Sequence, residues 1–328
     1  MALVGLLLVA LTACEGAPPA IIRETRPAPT TTPAPIGEDL FPELPDFATT
    51  GNALTPSDLL IYADRPPFDV TTAAVDSTGL AIWLHPTTQK QYDHPVQYAQ
   101  YAIGAMLRYQ LTGEQMWLDR AATNANRLEQ IATDRDGAMW FPYTFDWTYY
   151  ERTLHAPWWS GMAQGMALSV FSRLAQLQPD QPRWRVDADR VLESFTQTRV
   201  DGQPWASLVI DDHLYFEEYA GDQPPLQVLN GHIFAMFGLY DYWYLTGDTR
   251  ASILFDAGAS TVLTMMPLIR QEDGPSYYCV QANYCRTPAW QNEGYHPIHI
   301  WQLRTLGTLT GNPEFAEWAD TLAGDFTP

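Results

Sequence analysis

One turn recurs in this chain, and its spacing limits the folds available. Leu111-Thr112-Gly113, Leu245-Thr246-Gly247 and Leu309-Thr310-Gly311 each close one apolar, helix-like run and open another. A glycine just past a helix end supplies the left-handed residue that terminates it. The residue that follows (Glu114, Asp248 or Asn312) is then placed to cap the next helix. The first two glycines are 134 residues apart and the last two 64. One gap is about twice the other, which predicts an intermediate turn near residue 180. Leu177 to Pro182 (LQPDQP) stands there, between two further helix-like runs.

The repeat therefore predicts helical hairpins, about four of them. Their first helices fall at roughly 97–110, 162–177, 229–245 and 298–309, and their second helices at roughly 114–132, 183–198, 249–267 and 313–324. Hairpins stacked in this way give an all-α fold, an (α/α)-barrel. The first helices form its inner wall, where Gly104, Gly165, Gly238 and Gly307 permit close approach. If the short turns share one end of the barrel, the long links at about 133–161, 199–228 and 268–297 share the other. Links of that length are unusual between helices and tend to carry function. These hold Trp140, Tyr143, Trp147, Tyr149, Tyr150, Trp158, Trp159, Trp205, Tyr215, Phe216, Tyr219, Tyr277, Tyr278, Tyr284 and Trp290. The stretch from Ser207 alternates enough for short β-strands. The active site is expected at this end.

Charge and cysteine usage narrow the function. A net charge of −20 with only 18 basic residues argues against nucleic acid as a partner, since phosphate neutralisation needs clustered cations. Aromatic residues make up 13% of the chain, including 12 Trp, and indole and phenol groups are costly to bury unless their polar tips find partners. They point either to a sugar-binding groove or to a dense helical core. Residues 1–14 (MALVGLLLVALTAC) form an apolar run too short to span a bilayer, as an export signal would. Leu11-Thr12-Ala13-Cys14 resembles a bacterial lipobox. Cys14 is then the lipidated residue, and it anchors the protein on the outer side of the cytoplasmic membrane, in the cell envelope. Residues 15–45, rich in Pro, Thr and Ala, read as an extended tether, and 46–328 as the folded barrel domain. In an oxidising compartment Cys279 and Cys285 suit a small loop-closing disulfide.

No phosphate loop, CxxC pair, HExxH helix or GxSxG elbow is present, so neither a metal nor another cofactor is expected. His296 and His299 could share one helix face, but Pro297 between them reads as the first turn of a helix. Asp211, Asp212, Glu217 and Glu218 offer paired carboxylates in the second link, suited to glycoside hydrolysis or to other proton transfers.

Five segments in order make the reading specific. They are Pro95 to Tyr101 (PVQYAQY), Trp158 to Val170 (WWSGMAQGMALSV), Glu218-Tyr219, Leu229 to Asp241 (LNGHIFAMFGLYD) and Tyr295 to Leu303 (YHPIHIWQL). Together they resemble the C-terminal catalytic domain of the D-glucuronyl C5-epimerases. The resemblance implies an (α/α)-barrel and a uronate-containing polysaccharide substrate of the heparosan type. It also implies inversion of C5 by proton removal on one face and return on the other. It assigns catalysis to Glu218, with Glu217 open, and to Tyr295 and Tyr278, with Tyr277 open. Substrate-binding candidates from the matching segments are Tyr277, Glu217, Tyr219, Trp159, Gln164, Asn230, His232, His296 and His299. The family's run after the upstream Tyr contains an Arg, whereas this chain has Tyr278-Cys279-Val280-Gln281-Ala282. Arg286 or Arg304 are the candidates to replace that cation. The competing expectations are a polysaccharide lyase, a glycoside hydrolase, or a surface protein that binds glycan without catalysis. The residues do not fix an oligomeric state.

Overall fold

A computed structural model describes residues 40–56, 61–149, 151–286 and 289–327. The expected lipobox, Cys14 and most of the tether lie outside the described residues. Among the described residues four helical hairpins are present: α1 (Pro95–Thr112) with α2 (Gln115–Ile131), α3 (Gly161–Leu177) with α4 (Arg183–Phe195), α5 (Leu229–Thr246) with α6 (Thr249–Ile269), and α8 (Ala289–Thr310) with α9 (Pro313–Asp325). A one-turn helix, α7 (Ala282–Cys285), sits in the last link. Gly113, Gly247 and Gly311 all take left-handed φ, at 71°, 73° and 69°. The turn without glycine ends differently, on Gln178 at φ −130°. Asp248 and Asn312 cap their helices by accepting from the amides of Arg250 and Glu314. Glu114 makes no such cap and accepts instead from the Trp117 indole at 3.0 Å.

The first helix of each of these hairpins lines the barrel. Each packs on its own partner, and α1, α3, α5 and α8 follow one another along the inner wall. α3 and α5 meet most closely. A Cβ on Gly165 would run into the Ala235 backbone, and one on Gly238 into the Gly165 carbonyl. Gly104 leaves room for the Phe68 carbonyl, whereas Gly307 has only ordinary contacts and is not required for packing. Accordingly α3 and α5 are buried almost all round, as expected of inner helices, while α4 buries a stripe. α6 is long and apolar enough to cross a membrane by length and composition, but 67% of its apolar window is buried inside the protein.

The segment before α1 closes the shaft of the barrel. Tyr62 is fully buried against Phe234, Phe237 and Trp301. The Arg173–Asp241 ion pair holds it in place, with the Arg173 guanidinium also donating to the Ile61 carbonyl. Packing reaches back to Phe41 and Leu44, residues within the stretch read above as tether.

The long links share one end and carry three antiparallel hairpins: β1 (Thr133–Arg135) with β2 (Ala138–Trp140), β3 (Trp147–Tyr149) with β4 (Arg152–Leu154), and β5 (Ser207–Ile210) with β6 (His213–Phe216). One expectation fails at the last link. α8 begins at Ala289, so Pro297 lies inside the helix and Tyr295 is a helical residue, not a loop residue before the first turn. Proline costs an interior helix one hydrogen bond, which the packing of α8 on α5 and α9 offsets.

Candidate active site

The site is built where the second and third links cross above the start of α5. After β6 the chain runs on in extended form. The Glu217 amide donates to the Ala206 carbonyl, the Gly161 amide donates to the Glu217 carbonyl, and Trp159 and Ala220 exchange backbone bonds. Side chains on such a segment alternate. Glu217 points inward, fully buried, and its carboxylate accepts from the amides of Tyr219 (3.0 Å) and Gln227 (2.9 Å). Glu218 points the other way, onto the first turn of α5, and lies against Gly231. The third link comes beside it: Leu229 N donates to Tyr278 O, Val280 N to Gln227 O, and Tyr278 N to the Asn292 side chain.

This crossing gathers one carboxyl and three phenols. Tyr278 Oη donates to Glu218 Oε1 at 3.2 Å and lies 3.1 Å from Tyr219 Oη. The Tyr295 ring stands 4.6 Å from that of Tyr278. Tyr278 is 1% exposed, while Glu218, Tyr219 and Tyr295 are half-buried and open the cluster to solvent. Among the described residues, Glu218 Oε2 is buried with no hydrogen-bond partner. Tyr149 stacks against Tyr219 at 6.0 Å and Trp158 at 6.1 Å, so the cluster continues into a wall of rings. Cys279 and Cys285 are disulfide-bonded, with Cα atoms 5.4 Å apart, and close the loop behind Tyr278.

Burial sets the protonation states. Desolvation, then the charge of neighbouring Glu217, pushes the Glu218 carboxyl up to about 8, against the pull of the tyrosine hydrogen bonds. Desolvation also raises the phenols of Tyr219, Tyr278 and Tyr295, and the charge of Glu218 adds to it. All three are therefore proton donors near neutral pH, and Glu218 is the group that titrates within reach of it.

Other residues expected at the site lie elsewhere. His232 is 1% exposed; its Nδ1 accepts from the Phe216 amide and its Nε2 donates to the Gly258 carbonyl, each at 3.0 Å, so it ties β6 to α6. Gln164 bonds Phe141 N, Met139 O and Ser194 Oγ in the core. His296 joins Ser276 N to Phe326 O, and His299 Nδ1 meets Ser276 Oγ at 2.8 Å. Both histidines are buried, and no cluster of metal-ligating side chains occurs among the described residues. Asn230 and Gln302 meet beneath the site, where the Gln302 amide donates to Asn230 O. Trp159 is buried with its backbone in the crossing strand. Tyr277 turns away from Tyr278 and stacks under the exposed Arg286 at 4.5 Å. Arg304 is exposed and faces Asp320 at 3.4 Å. Neither arginine therefore stands at the cluster. Asp211 and Asp212, at φ 49° and 61°, are exposed turn residues joining β5 to β6, and they are not partners of Glu218.

Sequence reasoning missed Arg152 altogether. It lies on β4, 4% exposed, beside Glu217 and the ring of Tyr284. No motif marks it, because only the folding of the β3–β4 hairpin brings it here.

Comparison with known proteins bears on the family and the fold. The profile of the D-glucuronyl C5-epimerase C-terminus matches residues 134–323, more than half of the chain. A D-glucuronyl C5-epimerase of Caenorhabditis elegans is 27% identical over 188 residues, covering 53% of this chain and 30% of that protein. An uncharacterised protein of Methanocaldococcus jannaschii is 30% identical over 106 residues, 32% of each. The chain thus spans about a third of the length of these curated relatives. Among solved structures, cellobiose 2-epimerase from Bacillus thermoamylovorans superposes with a TM-score of 0.54 at 12% identity, over 77% of this chain and 66% of that one. The cellobiose 2-epimerase of Spirochaeta thermophila gives 0.51 at 15% identity, over 78% and 64%. These likenesses establish the barrel fold.

Proposed function

The chain belongs to the family of D-glucuronyl C5-epimerase C-termini, and from that premise we propose that it is a carbohydrate epimerase inverting C5 of uronate units in a polysaccharide. One observation carries the proposal. Glu218 has one carboxyl oxygen held by Tyr278 and the other without a partner among the described residues, in a cluster whose phenols all stay protonated.

The C5 hydrogen lies α to a carboxylate, so its removal leaves an enolate-like dianion. Ionised Glu218 takes that proton, and the C–H bonding pair passes into the enolate. A phenol on the opposite face, Tyr295 by its place on α8, returns a proton to C5 and becomes a phenolate. The file from Glu218 through Tyr278 Oη to the Tyr295 hydroxyl, which is hydrogen-bonded to Tyr278, provides the way back. The proton held by Glu218 moves along it to the phenolate, and the site returns to its starting charge. Inversion consumes nothing and needs no second substrate.

A lyase would share the first step and then expel the oxygen at C4. A hydrolase would need a second carboxyl across the bond. Glu217 is fully engaged with backbone amides, and Asp211 and Asp212 lie at an exposed turn, so neither Glu217 nor these aspartates supply such a second group among the described residues. Incubation with a glucuronate polymer in heavy water separates these chemistries. C5 deuteration without cleavage supports epimerisation. Ultraviolet absorbance from an unsaturated uronate indicates a lyase, and new reducing ends alone indicate a hydrolase.

We assign the protein to the cell envelope, lipid-anchored through Cys14, on the lipobox-like Leu11 to Cys14 and the Pro-rich stretch after it. Metabolic labelling with a fatty-acid analogue tests this: label lost in Cys14→Ser agrees with anchorage, and no label on the wild type contradicts it.

A further inference from the structure

One aromatic cluster reaches from the catalytic phenols to the residues just before α1. Buried Tyr143, Phe145 and Trp158 form its floor, and the half-buried rings of Tyr219, Trp147, Trp83 and Tyr92 pack on it. Tyr219 meets Trp158 at 6.1 Å, Trp158 meets Phe145 at 6.1 Å, and Phe145 meets Tyr92 at 5.0 Å. Three ring-to-ring steps thus join Tyr219, beside Glu218, to Tyr92, a span that a few sugar units cover. We propose that the cavity beside Tyr92 is a distal subsite, seating an uncharged pyranose of the polymer whose uronate reacts at Glu218. The assignment rests on the uronate reading above.

The cavity has a volume of about 300 Å³, at the small end for a ligand site, and its lining suits a sugar. The Tyr92 ring offers an apolar face, and Gln91, Asp93, Arg127 and Thr144 offer polar groups. Arg127 clamps Asp93 through Nε at 2.8 Å and Nη2 at 2.9 Å, while Tyr98 Oη donates to Asp93 Oδ1 at 2.7 Å. Pairing cancels the two charges, so the lining favours a guest without net charge. Asp93 Oδ2 receives one of these three bonds among the described residues. A carboxylate oxygen has two acceptor sites, so one is left for a sugar hydroxyl. The clamp holds the carboxylate in place before the sugar arrives, which lowers the ordering cost of binding.

The plain alternative is that the rings only roof the buried cluster. A roof needs no cavity with a preset carboxylate–guanidinium pair beside it. Contiguous half-exposed rings next to a reaction site are also the usual mark of a ligand-binding surface.

Binding tests the subsite without turnover. The probes are a disaccharide and an octasaccharide cut from one glucuronate polymer of alternating acidic and neutral sugars, titrated calorimetrically. Wild type should bind the longer probe at least about 10-fold more tightly, the contribution of one aromatic anchor. Tyr92→Ala should lose about that factor on the octasaccharide and leave the disaccharide affinity unchanged. No gain with length in the wild type, or an undiminished gain in Tyr92→Ala, overturns the proposal. The factor lost in the variant should not depend on salt; a steep salt dependence would mean an acidic guest and overturn the neutral assignment.

Should Tyr92→Ala fail to fold, Lys90 serves as a reporter in the wild type. It is the only lysine in the sequence, and its ammonium lies 5.1 Å from the centroid of the Tyr92 ring. Reductive methylation with carbon-13 gives it a single NMR signal. A shift with the octasaccharide but not with the disaccharide supports the subsite, and no shift with the octasaccharide, or an equal shift with both, overturns it. A length gain lost in Tyr92→Ala, with no C5 exchange by the wild type, keeps the subsite and removes the epimerase. C5 exchange with an undiminished gain removes only the subsite.

Discussion

Gly231→Ala separates stability from chemistry at one atom. Gly231 lies in the first turn of α5, where alanine is the better helix former by about 1 kcal/mol. A Cβ there would stand 2.8 Å from Glu218 Cβ and 2.9 Å from its Cδ, and closer still to Oε2. Restoring a normal carbon contact near 3.5 Å requires Glu218 to retreat by roughly 0.7 Å. The movement also strains its 3.2 Å hydrogen bond from Tyr278. A misplacement of about 1 Å at a reacting group costs on the order of 100-fold in rate. Overpacking costs about 1–3 kcal/mol and offsets the gain in helix propensity, so the variant should unfold at or somewhat below the wild-type temperature, yet lose about two orders of magnitude in C5 deuterium incorporation. Wild-type exchange in a folded Gly231→Ala protein would refute the placement of Glu218 or its role.

Tyr295→Phe should abolish net inversion with little change in thermal stability; inversion at the wild-type rate in that variant would remove Tyr295 from the reaction. Tyr278→Phe deletes a hydrogen bond that holds the Glu218 carboxyl down, so the limb of the pH–rate profile expected at about 8 should move upward; an unmoved limb contradicts the coupling. Stability should fall as pH drops from about 6.5 to 4, because folded His232 is held at about 4 by burial and the unfolded chain binds the proton first. In that window the effect approaches about 1.4 kcal/mol per pH unit, and His232→Phe should flatten the slope in denaturant titrations. Cys279→Ser opens a loop of six-residue separation, expected to cost about 2 kcal/mol on chain entropy; an unchanged unfolding midpoint would show that the bond contributes nothing.

The barrel was legible because its signals are local. Leu-Thr-Gly turns put a left-handed glycine at each helix end, and the missing turn at 177–182 followed from arithmetic. α8 was misjudged in its start because Pro297 looks like a first turn, and only packing on neighbouring helices shows that it sits in the middle. Sequence motifs brought out Glu218, Tyr219, Tyr278 and Tyr295, and alternation along two extended segments separates Glu218 from Glu217 and Tyr278 from Tyr277. The same motifs mixed in His232 and Gln164, whose bonds tie the framework together. Arg152 was invisible, because its position depends on how a hairpin in the first link meets strands of the second and third.

The central claim is that Glu218 removes the C5 proton. Its most direct test compares wild type with Glu218→Gln, an isosteric change that cannot accept the proton, in heavy water with a glucuronate polymer. The account predicts deuterium at C5 in the wild type, rising with pH through about 8, and none above background in the variant. Exchange by Glu218→Gln at the wild-type rate would contradict it.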